Sequence, residues 1–221
     1  MERVCILLTT TVNVQSKVAV HQTSVQDRLF YYTRSLRQWL KKTPFKIVVV
    51  ENTGYSYTEY KEEFADYIRE KRLEIITFKE SVEPMSRYLA GNISKGASEI
   101  FAIQYAFCKS SILHKSDFII KITGRYYVPE LLSLLEKKGD LTKYDGLRQN
   151  NGARCEMVGS NIRYFPMVFN GYLLDGNGNY DGHAENVYKY RISLLENVIE
   201  CPVMHIEPTP MGGGPDIVWE L

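Results

Sequence analysis

The chain predicts an α/β fold, a mostly parallel sheet with helices on both faces. Three observations carry the prediction. Apolar, β-branched runs recur along the first 123 residues, and stretches of helical periodicity separate them. The runs are almost continuously apolar, as strands covered on both faces must be, where a half-exposed strand would alternate. Finally, 221 residues with 44% hydrophobic content suffice to bury a sizeable core and sit within the usual range for one domain.

Taken in order, "RVCILLTTTV" (3–12) is a first buried strand that runs out into threonines. Residues 24–42 place Leu29, Tyr32, Leu36, Trp39 and Leu40 at helical spacing, with Ser24 as N-cap. "FKIVVVEN" (45–52) is the second strand, 59–71 a charged helix, and "LEIITF" (73–78) the third strand. A helix over 94–113 opens on a serine and a glycine, "DFIIKIT" (117–123) is the fourth strand, and "VPELLSLLEKK" (128–138) is a helix with Pro129 in its first turn. Beyond residue 140 come three short β-like runs, "DGLRQN", "CEMVGS" and "YFPMVF". A Gly/Asn loop (175–182), a helix over about 183–197 and a Gly/Pro-rich tail complete the chain. No linker, repeat or low-complexity tract separates the halves, so 1–221 is read as a single domain, with 139–221 a lobe completing it.

Lys and Arg number 27 against 26 Asp and Glu, a net charge of +1 that provides no global field for nucleic acid or an anionic membrane. The four cysteines are widely spaced and form neither a CxxC pair nor a zinc-like cluster, which fits reduced thiols in an intracellular, cytoplasmic protein. "VCILL" is too short for a signal-peptide core or a membrane span. The expectation is a soluble protein, with peripheral membrane contact still compatible.

In open parallel sheets ligands collect beyond the carboxyl ends of the strands, so the residues there are the candidates. Glu51 and Asn52 end the second strand ahead of Thr53-Gly54; they suit a nucleoside base or ribose, or else simply a turn. "GNISKGASE" (91–99) sets Lys95 at a helix start, where free N–H groups and the dipole favour a phosphate, although it matches neither a Walker A loop nor GxGxxG. Lys121 and Arg125 flank the end of the fourth strand, and an anion must stand opposite such buried cations, either a protein carboxylate or a ligand phosphate. Arg125 has the fork that grips two phosphate oxygens.

"DGNGNYDGHAEN" (175–186) imitates a calcium loop through Asp175, Asn177, Asn179 and Asp181. Tyr180 replaces the required glycine, however, and Asn186 the bidentate glutamate. The better reading is a loop delivering His183 and Glu185 to a helix start, as proton acceptors or else as the start of an ordinary capped helix with Glu185 favoured by the dipole. His205 and Glu207 alternate with apolar residues in "VMHIEPTP", as on an exposed strand edge, and "MGGGPD" (211–216) supplies flexible backbone.

The order of these pieces resembles the nucleotide-sugar glycosyltransferases of GT-A fold, through "ILLTTTV", "VVVENTG", "SKGASEIFAIQYA" and "DFIIKITGRYYVPELLSLL", and best over residues 3–136. "ENTG", "KGASE" and "KITGRY" together look like a branch with a TGRY-like motif where most members carry Asp-x-Asp. The resemblance implies a donor-binding half (1–138) and an acceptor-binding half (139–221). Donor contacts are implied at Thr9, Thr10, Thr11, Glu51, Asn52, Lys95, Glu99, Lys121, Thr123, Gly124 and Arg125. Glu185 takes the place of an inverting enzyme's base, with Asp181 and His183 in reserve.

The implied partners are a nucleoside-diphosphate sugar and a carbohydrate or lipid-linked acceptor. With the paired acids missing, no metal site is assigned and cations are expected to do its work, Mn2+ or Mg2+ being the alternative cofactor. Two other functions stand beside this one. A sugar nucleotidyltransferase should carry a glycine-rich GxGxR loop where this chain reads "TTTVNV". A non-catalytic sugar-nucleotide or glycan-binding module would have kept the fold after losing the acids.

Overall fold

The computed structural model describes residues 3–14, 21–92, 94–149, 154–174, 176–212 and 214–221. Asp175 of the calcium-like stretch and Gly213 of the glycine-rich one lie outside them. The protein has an α/β architecture on a seven-stranded sheet of order β3-β2-β1-β4-β6-β5-β7. β1 (Val4–Thr10), β2 (Lys46–Glu51), β3 (Leu73–Thr77) and β4 (Phe118–Thr123) run parallel. From the second half, β6 (Met157–Asn161) joins β4 antiparallel, β5 (Gly146–Gln149) pairs antiparallel with β6, and β7 (Val198–Cys201) returns parallel to β5. β8 (His205–Pro210) and β9 (Ile217–Glu220) form a separate antiparallel hairpin.

The central strands are buried on both faces, and their side chains divide by parity. Ile6 and Leu8 of β1 join Ile47 and Val49 under α1 (Val25–Lys42), α2 (Lys61–Arg69) and α4 (Leu131–Lys138). Cys5 and Leu7 join Val48 and Val50 under α3 (Lys95–Lys109), α5 (Phe165–Val168) and α6 (Ala184–Ser193). Ser24 caps α1 by accepting from the Asp27 N–H at 3.2 Å, and Ser94 caps α3 through the Ala97 N–H at 3.3 Å, as their positions in the sequence predict.

Three local expectations give way. "YFPMVF" is helical: Asn161 caps a 3-10 turn at 162–164, and α5 follows, so that Phe165 and Phe169, four residues apart, are buried together and Phe165 stacks on Phe107 at 4.2 Å. α4 starts at Leu131 with Glu130 as N-cap, which leaves Pro129 in the preceding turn. The helix expected to run to residue 197 stops at Ser193, and β7 and β9, too short for a periodic signal, were not foreseen. Cys5, Cys108, Cys155 and Cys201 are free thiols. Among the described residues no helix is long and apolar enough to cross a membrane.

Candidate active site

The carboxyl ends of β1, β2 and β4 and the amino ends of α3 and α6 meet along one edge. α3 and α6 approach so closely at their starts that a Cβ on Gly96 would lie 2.8 Å from Ala184 Cβ, and Ser94 Oγ donates to the Gly182 carbonyl at 3.2 Å. Two helix amino termini, with their positive dipole ends, therefore converge here.

Several of the implied donor residues build this edge from within. Glu51 is fully buried; its carboxylate accepts from the Val12 N–H at 3.0 Å, the Thr53 N–H at 2.9 Å, the Tyr55 N–H at 2.8 Å and the Thr53 hydroxyl. Burial raises its pKa against the pull of those donors. The chain turns after β2 with Gly54 at φ 85°, and the Glu51 carboxylate is enclosed within that turn. Thr10, also buried, donates to the Val50 carbonyl at 3.0 Å and accepts from the Tyr57 hydroxyl at 3.1 Å. Thr11 Oγ1 donates to Asn52 Oδ1 at 2.8 Å, and Asn52 Nδ2 donates to Glu80 at 3.1 Å, which ties the ends of β1 and β2 together.

Lys121 meets a protein carboxylate. Its Nζ, with no exposed surface, lies 2.9 Å from Glu99 Oε2, donates to the Cys155 carbonyl at 2.7 Å and sits 5.9 Å from the centre of the Tyr188 ring. Burial works against the ammonium, but Glu99 holds its pKa above the ordinary lysine value. The other Glu99 oxygen accepts from Thr9 Oγ1 at 2.7 Å, so one carboxylate joins β1, β4 and α3. The Lys121 side chain presents no surface beyond these protein partners.

Arg125 is placed differently. It is buried to 9% exposure, takes part in none of the ion pairs among the described residues, and its Nε has no hydrogen-bond partner there. Its guanidinium lies 5.3 Å from the Tyr126 ring centre and faces Gly212 in the β8–β9 loop, where a Cβ would come within 2.7 Å of Nη2. Burial works against its charge, while Tyr32 and Tyr126 hold its pKa above the ordinary value, so it stays a cation. Gly124 beside it answers to β1: its N–H donates to the Thr9 carbonyl at 2.9 Å, and a Cβ would come within 2.8 Å of that oxygen and 2.6 Å of Thr10 Cγ2. The glycine requirement thus comes from strand packing. Thr123 is half-buried, its N–H bonded to the Glu156 carbonyl at 2.8 Å.

Two more cations complete the edge. Lys95 is exposed at the first position of α3; its pKa is lowered by partial burial and by Arg125, with Glu185 opposing, Arg28 reinforcing and Glu99 opposing in turn. Arg28, which sequence reasoning missed, is buried and has no carboxylate partner among the described ion pairs. It donates to the Thr11 and Gln22 carbonyls and, at 2.6 Å, to the Tyr32 hydroxyl. Burial lowers its pKa, and Arg125 adds to that. An arginine in the first turn of α1, where a cation opposes the dipole, was the available signal.

Glu185 is exposed in the first turn of α6, within electrostatic reach of Lys95. Asp181 is committed locally: it accepts from the His183 N–H at 2.8 Å and from Asn186 at 3.1 Å, which lowers its pKa. His183 is the N-cap residue and is exposed, with no side-chain capping bond.

No family model and no curated protein matches the chain. Solved structures do. The galactosyltransferase LgtC in complex with donor and acceptor sugar analogs aligns at TM-score 0.53 and 11% identity, over 89% of this chain and 72% of LgtC. S. aureus TarS 1-349 aligns at TM-score 0.52 and 13% identity, over 91% of this chain and 58% of that one. The fold is GT-A-like.

A GT-A fold implies a divalent cation at the end of β4, and the side chains present do not fit one. Thr123, Gly124 and Arg125 occupy that end, and among the described residues no three His, Cys, Asp or Glu side chains converge as a metal site. A guanidinium there repels a second cation and attracts an anion.

Proposed function

We propose that the protein is a glycosyltransferase that takes a nucleoside-diphosphate sugar, passes the sugar with inversion to a carbohydrate or lipid-linked acceptor, and uses fixed cations in place of a metal. The observation that carries this reading is Arg125, a buried guanidinium without a counter-carboxylate among the described residues, at the strand end where the GT-A fold holds its donor diphosphate. A buried charge without a counter-ion is costly, and a phosphate supplies one.

In the reaction, Glu185 removes the proton of the acceptor hydroxyl as that oxygen bonds to the anomeric carbon from the side opposite the diphosphate. The bond from that carbon to the phosphate oxygen breaks, and its electron pair leaves with the nucleoside diphosphate. Arg125 and Lys95 stabilise the charge that develops on that oxygen, and the two helix amino termini add their dipoles. Lys121, Glu99 and Thr9 position the strand ends. Arg28 holds the loop after β1 through Thr11 and Gln22 and adds its field.

The test is sugar transfer and donor hydrolysis across a panel of nucleotide sugars, each with EDTA and with manganese, for the wild-type protein and Glu185→Gln. Turnover that survives EDTA and falls at least about a hundredfold in Glu185→Gln is expected. Turnover strictly requiring manganese would refute the role given to the cations. The missing paired acids favour a second reading, a binding module, and nucleotide-sugar binding without turnover under any metal condition selects it.

A further inference from the structure

We propose that Tyr88, Tyr172, Leu174 and Tyr180 form a platform on which a neutral oligosaccharide acceptor lies, leading to Glu185. The proposal rests on the transferase reading above and names the class of acceptor.

The platform is a construction of the backbone. Leu174 and Tyr180 pair across an isolated antiparallel bridge, and the Asp181 N–H bonds to the Leu173 carbonyl at 2.9 Å, so residues 173–174 run alongside 180–181. Bridge partners point to the same side, so Leu174 and Tyr180 share one. Tyr172, Leu174 and Tyr180 are all exposed, at 60%, 40% and 56%, while Leu173 is buried, and the Leu174 N–H bonds back to the Tyr172 carbonyl at 3.0 Å in a tight turn. Tyr88 extends the row: its ring lies 5.5 Å from that of Tyr172, edge-on at 5.9 Å to the core residue Phe101, and its hydroxyl donates to the Gly171 carbonyl.

Position and chemistry argue for a sugar. The Tyr180 hydroxyl pairs with Asn92 at about 3.3 Å, two residues before Ser94, which itself bonds to Gly182. From Tyr180 the chain reaches Glu185 in five residues, so the row begins at the mouth of the proposed site. Clustered exposed aromatic rings, as Tyr88 against Tyr172, suit an interaction site. Tyrosine offers a rigid ring face with a polar tip at low entropic cost, which matches the apolar face and hydroxyl rim of a pyranose ring. None of the four side chains carries a charge, so nothing on the platform selects a charged glycan. Hydroxyl and amide groups at its edge, Tyr180 and Asn92, suit sugar hydroxyls better than an apolar protein surface.

The 221-residue chain should be applied to an array of neutral oligosaccharides of mixed linkage, with and without UDP. A double variant, Tyr172→Ser with Tyr180→Ser, and a control, Trp219→Ser on the exposed side of β9, should be run beside it. The expected result is retention on a subset of the array, weakened at least about tenfold in the double variant and unchanged in the control. The thermal shift produced by nucleotide sugars should be equal in all three proteins. Retention unaffected by the double variant overturns the platform. So does a chain that binds nucleotide sugars but no oligosaccharide, or self-association lost with the two tyrosines. A chain that binds neither nucleotide sugar nor glycan overturns the transferase reading and the platform with it.

Discussion

Lys121 and Arg125 lie four residues apart around the end of one strand, both cationic and both buried, yet they have opposite surroundings. Lys121 has a carboxylate at 2.9 Å and a carbonyl at 2.7 Å, and its charge is spent on joining α3 to β4. Arg125 has aromatic rings, a glycine backbone and an orphaned Nε. A charge satisfied by the protein belongs to the fold, and a charge the fold leaves unsatisfied is available to a ligand. The difference arises from geometry: Lys121 points into the layer between β4 and α3, where Glu99 can reach it, and Arg125 lies past the last strand residue, in no ion pair among the described residues.

The comparison breaks most visibly on the Lys121 side. Glu99→Ala strands a buried ammonium, and the loss should be about 3–5 kcal/mol of unfolding free energy, read from denaturant midpoints at constant m. Lys121→Met leaves Glu99 part-exposed and still bonded to Thr9, so its loss should be the smaller of the two. Equal losses would mean that the pair contributes through packing alone. Arg125→Ala should do the reverse. Transfer should drop about 10²–10³-fold, the cost of removing one preorganised donor, while the melting temperature holds or rises because an unpaired buried charge has gone. Unchanged turnover and donor affinity would remove Arg125 from the site.

Lys95 sharpens the comparison through pH. Its pKa is lowered by burial and by Arg125, and an anionic ligand binds its charged form. Affinity for the donor is therefore full while Lys95 is protonated and falls as pH rises through a value below the ordinary 10.5. Lys95→Arg, charged throughout, should abolish that fall. The difference between the two pH profiles, about tenfold at the alkaline end, cancels any ionisation of the ligand itself. Parallel profiles would show that Lys95 does not meet the anion.

How much of this was legible follows from the same physics. The parallel strands announced themselves because burial on both faces leaves no polar residue in "CILL" or "IVVV", and the caps at Ser24 and Ser94 followed from local hydrogen bonding. The edge positions of Lys121 and Arg125 were legible, but their partners were not. Glu99 is 22 residues from Lys121 in sequence, and only the packing of α3 on β4 brings them together. Arg28 escaped notice for the same reason, since its partners Thr11 and Gln22 lie in the loop preceding its helix. "YFPMVF" misled because aromatic content suits strands and helices alike, and the spacing of Phe165 and Phe169 carried the distinction.

The smallest effect tests the roof over Arg125. Gly212 presents its backbone to the guanidinium, and its carbonyl accepts from the His21 N–H at 3.1 Å, which ties the hairpin tip to the loop before α1. A methyl group at Gly212 would meet Arg125 Nη2 at 2.7 Å, and the flexible end of the arginine is the part able to yield. Gly212→Ala should therefore cost less than about 1 kcal/mol of stability, within the range of ordinary surface changes, because no backbone atom has to move. If the guanidinium holds the diphosphate, the same methyl should weaken donor affinity several-fold by displacing it, and combining it with Arg125→Ala should add nothing further. Additive losses in the double variant would mean that the hairpin tip acts on the donor independently of Arg125, and the contrast with Lys121 would then rest on one residue fewer.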